Sequence, residues 1–154
     1  MSDRDMVRVL RGTREFAGLS CVQLRRLLPF IDEVCVVAGT RVADEGRLCH
    51  QFVIVASGSL ETCLRGKQGE LGPGDSFGWH AMQARGVNDA TVVAAGPAHL
   101  LVMGHQQFRA AEGMSTAAGL TRGARVHHAG AARESSTQAH RDPHPVRPPT
   151  LREL

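Results

Sequence analysis

Short apolar runs, cut at regular intervals by glycine turns, fill the chain from Ile31 to Met103. Their β-branched, apolar stretches predict strands over 33–37, 41–43, 51–56, 59–64, 69–71, 90–95 and 99–103. The run 51–56 is the strongest of these. Turn signals at 38–40, Glu45-Gly46, Ser57-Gly58, 65–68 and Gly96-Pro97 separate the strands. So many short strands at this spacing indicate a β-sandwich or jelly roll, and the fold class is read as mainly β with flanking short helices.

Helical spacing is confined to the flanks. Ser20-Cys21-Val22-Gln23 reads as a capping box, after which Leu24, Leu27 and Leu28 recur at helical spacing until Pro29 stops them. The stretch 6–10 adds a turn or two before Gly12, and 106–112 reads as a short closing helix. Residues 114–154 differ in kind: Ala, Gly, Arg, His, Ser and Pro dominate, and core periodicity is lost. Such a segment buries too little to offset its ordering entropy, so it is expected to be disordered. The division is therefore a domain over 1–113 and a basic tail over 114–154.

Charge sharpens that division. Acids and bases balance over 1–113, while the tail holds six arginines against three acids and so accounts for the net charge of +3. The basic balance reports on the tail and not on a nucleic-acid-binding face of the fold. No apolar run approaches the roughly 20 residues of a membrane span, and the amino end, Met1-Ser2-Asp3-Arg4-Asp5, is charged. A cytoplasmic location is expected. Cys21, Cys35, Cys49 and Cys63 are evenly spaced but lack the close pairs of zinc or iron–sulfur sites, and are read as small buried hydrophobes. His50, His80, His99 and His105 are scattered, and the tail histidines 127, 128, 140 and 144 fall in the basic segment. No nucleophile–base pair, acidic dyad or metal cluster supports catalysis, so neither an enzyme nor a metal centre is expected.

The most informative segment is Gly72-Pro73-Gly74-Asp75-Ser76-Phe77-Gly78, followed by Trp79-His80-Ala81-Met82, a loop, and Asn88-Asp89-Ala90-Thr91-Val92. It resembles the phosphate-binding cassette of the cyclic-nucleotide-binding domain, whose pattern is Phe-Gly-Glu, a short helix, a loop, then Arg-(Ser/Thr)-Ala-x-Val. The resemblance runs from Phe16 to Ala111. It includes an entry helix at Phe16-x-x-Leu19-Ser20-x-x-Gln23-Leu24 and turn glycines at 39, 46, 58, 72, 74 and 78. It implies a jelly-roll β-roll of the cyclic-nucleotide-binding type, found in catabolite-activator-type regulators and protein-kinase regulatory subunits.

The resemblance also implies a site. In the family the amides after Phe-Gly face the cyclic phosphate, an Arg pairs with it, the next Ser or Thr donates to it, and a Glu holds the ribose. Here Phe77, Gly78, His80, Ala81 and Ala90 stand at scaffold or amide positions, but Trp79 replaces the Glu, Asn88 the Arg and Asp89 the Ser/Thr. Arg85, in the cassette loop, is a cation that could swing in. The Trp79 indole either stacks on a planar ligand or folds in and plugs the pocket; the plug is the favoured reading. Cyclic AMP or cyclic GMP is accordingly disfavoured as a cofactor.

Three readings stay open. The first is a non-catalytic regulatory module acting through a protein partner or as a homodimer. The second is a binder of cyclic nucleotide or another small ligand through altered contacts. The third is a remnant of a longer regulator without its DNA-binding part. Gly113, Gly119 and Gly123 interrupt any long dimerising helix, and nothing resembling a helix-turn-helix follows, so sequence-specific DNA binding and membrane association are not expected.

Overall fold

The computed structural model describes residues 1–117. Two four-stranded antiparallel sheets face one another. β1 (Asp32–Val36), β8 (Ala98–Gly104), β3 (Gln51–Ser57) and β6 (Ser76–Phe77) form the first, in that order. The second runs β2 (Arg41–Ala43), β7 (Thr91–Ala94), β4 (Leu60–Leu64), β5 (Lys67–Leu71). Helices α1 (Asp3–Gly12), α2 (Cys21–Leu27) and α4 (His105–Ala117) flank the roll, and α3 (Trp79–Ala84) lies between β6 and β7. This is the β-roll with short helices that the strand pattern implied.

β3 explains the two-part interior. Period-two alternation sends Val53 and Val55 into the roll, where they meet Leu60, Leu71, Phe77, Val92 and Leu100. Phe52 and Ile54 point the other way, against Leu10, Phe16, Leu24, Leu27, Leu101, Met103 and Phe108. A strand buried on both faces reads as a continuous apolar run, which is why 51–56 carries the strongest strand signal.

The helices depart from the sequence reading in two places. α1 is a full ten-residue helix rather than a turn or two. Ser2 caps it by accepting from the Asp5 amide at 3.2 Å, and Met6, Val7 and Leu10 supply a buried stripe that a five-residue window under-reports. α4 continues through Gly113 to Ala117, beyond both the expected helix end at 112 and the boundary drawn at 113. Phe108 and Ala111 bury its inner face, and one exposed glycine costs only about 1 kcal/mol in a helix. The rest of the expected tail, 118–154, with its histidines 127, 128, 140 and 144, lies outside the described residues.

Candidate functional site

The turn that opens the cassette is held by its own polar groups. The Gly72 amide donates to Asp75 Oδ2 at 2.9 Å, and Val55 exchanges backbone bonds with Asp75 and Gly74. β6 then pairs Phe77 with Val53 and delivers the chain to Gly78, where φ is +96°. Only glycine suits that position, because a Cβ there would also lie 2.8 Å from the Gln51 carbonyl oxygen. Arg85 closes α3 in the left-handed region (φ +51°), with its amide bonded back to Ala81 and Met82.

Beyond Arg85 the cassette is pinned to the β2–β3 connection. The Cys49 amide donates to Gly86 O (3.0 Å), Leu48 bridges Val87, the Asn88 amide donates to Arg47 O (2.8 Å), and the Gly46 amide donates to Asn88 O (2.8 Å). Asn88 is buried, and its side-chain Nδ2 donates to the Asp44 carbonyl at 3.0 Å. Asp89 is exposed, and Ala90 is fully buried in the roll. Beside this ladder, burial pushes the Cys49 thiol above its ordinary value, since a thiolate there would be poorly solvated.

Trp79 takes a different direction from both sequence readings. It is 2% exposed, yet it packs beneath the helices rather than across a ligand pocket. Its ring lies edge-on to Phe108 at 4.8 Å, Phe52 at 5.2 Å and Phe16 at 5.6 Å between centroids. Met82, one helical turn on, is buried on the same side. From α4, Arg109 Nη2 donates to the Met82 carbonyl at 3.0 Å while Nη1 pairs with Glu112 at 2.8 Å. Phe16, Phe52, Phe108 and Arg109 are therefore cassette supports that sequence reasoning missed; the helix-period position of Phe108 after β8 was the available signal.

Two clefts flank the Asn88–Asp89 step. One, of about 240 Å³, is lined by Gly78, His80, Ala81, Ala84, Gly86, Val87 and Asp89, and so gathers four of the nine expected site residues, Gly78, His80, Ala81 and Asp89. The other, about 380 Å³, takes Phe77 and Asn88 together with residues of β2, β3 and their connection. Trp79, Arg85 and Ala90 line neither. Among the described residues, no group of three or more His, Cys, Asp or Glu side chains is placed to hold a metal ion.

The family model of the cyclic nucleotide-binding domain matches residues 33–111. No curated protein sequence matches significantly. Among solved structures, the regulatory domain of Toxoplasma gondii PKA with cAMP is similar at TM-score 0.66 and 27% identity, over 76% of this chain and 46% of that one. The sensor domain of the transcriptional regulator DNR from Pseudomonas aeruginosa matches at TM-score 0.63 and 24% identity, over 77% and 83%. The regulatory subunit of a cAMP-independent protein kinase A from Trypanosoma brucei matches at TM-score 0.65 and 20% identity, over 73% and 42%. This chain spans less than half the length of the kinase regulatory chains it resembles.

Proposed function

The chain belongs to the cyclic nucleotide-binding domain family, and we propose that it is a non-catalytic regulatory module that does not hold cyclic AMP or cyclic GMP in the family's usual way. The observation that carries this reading is the Asn88–Asp89 step. The side chain at the family's arginine position is uncharged, and its amide is committed to the Asp44 carbonyl. Its neighbour places a carboxylate on the cassette cleft where the family has a hydroxyl donor.

Magnitudes support the reading. Forgoing two sets of charge-assisted hydrogen bonds costs about 3–6 kcal/mol of binding. A carboxylate close to phosphate adds about 1–4 kcal/mol of repulsion, depending on local dielectric. The lower sum, about 4 kcal/mol, turns a micromolar site into a millimolar one. The fold itself does not decide the matter, because similar chains include one with cAMP bound and one from a cAMP-independent kinase.

As a regulatory module the domain acts through a protein partner or a second copy, in the cytoplasm, where its four unpaired thiols stay reduced. Calorimetric titration of the full chain with cyclic AMP and cyclic GMP tests the central point. The expected result is no saturable heat up to near-millimolar nucleotide. Micromolar binding of either overturns the reading in favour of altered contacts to the same ligand.

A further inference from the structure

The clefts on either side of Asn88 differ in charge. The cassette cleft presents the Asp89 carboxylate. The larger cleft has an apolar body formed by Val42, Ala43, Val53, Phe77 and the exposed Leu48, with Asp44, Arg47, His50, Gln51 and Asn88 around them. Asp44 does not cancel Arg47, because its Oδ1 already pairs with Arg41 Nη1 at 2.7 Å. Among the described residues, the Arg47 guanidinium has no hydrogen-bond or ion-pair partner. The lining thus leaves one uncommitted cation beside an apolar recess of about 380 Å³, within the ordinary range for small-molecule pockets.

We infer that this cleft is a binding site for a compact organic anion, with its apolar body against Val42, Val53 and Phe77 and its anionic head at Arg47. A neutral or cationic ligand would leave the guanidinium unpaired or repel it, whereas a carboxylate, sulfonate or phosphate can take two parallel hydrogen bonds from it. Leu48, half exposed in the lining, would gain burial against such a body. The site shares Phe77 and Asn88 with the cassette but uses neither α3 nor Asp89, so it does not depend on the cassette's inability to hold a cyclic phosphate.

The probe is 1-anilinonaphthalene-8-sulfonate, an apolar ring system with one anionic head, compared with its uncharged analogue N-phenyl-1-naphthylamine. The full chain should bind the sulfonate one to one, with amide shifts at Val42, Val53 and Phe77, and the uncharged analogue more weakly. Arg47→Ala should weaken the sulfonate about tenfold, a charge-assisted hydrogen-bond set, and leave the analogue unchanged. Arg47→Lys keeps the charge but not the two-pronged donor, so it should recover only part of the lost affinity. Arg47 is exposed, so these variants keep the fold, which circular dichroism checks. Equal binding of the sulfonate to the unmodified chain and Arg47→Ala, or shifts confined to Gly78, Ala81 and Asp89, would overturn the proposal.

Discussion

The two halves of the cassette are held by different physics. The first, 77–82, is anchored by burial: Phe77 fills the roll, while Trp79 and Met82 fill the space beneath the helices. The second, 85–89, is anchored by backbone hydrogen bonds to the β2–β3 connection and by one side-chain amide. Replacement in the first half therefore costs stability, whereas exposed positions of the second half are free to change chemistry. On the function proposed above, that asymmetry is what lets a family scaffold persist when its ligand contacts change.

The largest expected effect contrasts Trp79 with Asp89. Trp79→Ala removes the centre of an aromatic cluster and should cost about 3–5 kcal/mol in denaturant unfolding. Trp79→Glu, which restores the family's residue type, should do worse by burying an unpaired carboxylate. Asp89→Ser, at an exposed position, should stay within about 0.5 kcal/mol. Similar costs at both positions would break the comparison.

Gly78→Ala comes next. It imposes a left-handed backbone on an L-residue and drives a methyl toward the Gln51 carbonyl, so a loss of about 1–3 kcal/mol or more is expected. A smaller effect separates the two halves by location. Arg109→Ala removes the donor to the Met82 carbonyl and should cost about 1 kcal/mol, with amide exchange rising in α3 before the 86–88 ladder. Asn88→Ala should show the reverse order.

The strand framework was legible because β-branched runs and glycine turns are local signals, as were Ser20 and Gln23, which form the reciprocal capping box. The segment 72–92 stood out through its resemblance to the family's cassette, and the structure sets the short helix α3 there between β6 and β7. The direction of Trp79 was not, because a six-residue helix has one buried stripe whose side is chosen by Phe16, Phe52 and Phe108, remote in sequence. The commitment of the Asn88 side chain to the Asp44 carbonyl, 44 residues away, was not legible either, because it exists only once β2 pairs with β7. The larger cleft, drawn from β2, β3 and their connection, had no sequence signature at all.

The smallest effect concerns Cys49, beside the second half's ladder. The native chain holds the thiol proton above the ordinary pKa, so the unfolded chain releases it first. Stability should therefore fall as pH rises through the ordinary thiol value toward the raised one, and be intact below it. Urea midpoints for the unmodified chain and Cys49→Ala should diverge in slope only on the alkaline side. Identical slopes would place the thiol in a better-solvated setting.

If the scaffold is kept and only the phosphate contacts are missing, restoring those contacts must restore binding, and calorimetry measures that gain. Asn88→Arg with Asp89→Ser rebuilds the phosphate contacts while leaving Trp79 in its cluster. Against cyclic AMP this variant should bind about 100-fold or more tighter than the unmodified chain, about 2.8 kcal/mol. A folded double variant with no gain would contradict the claim.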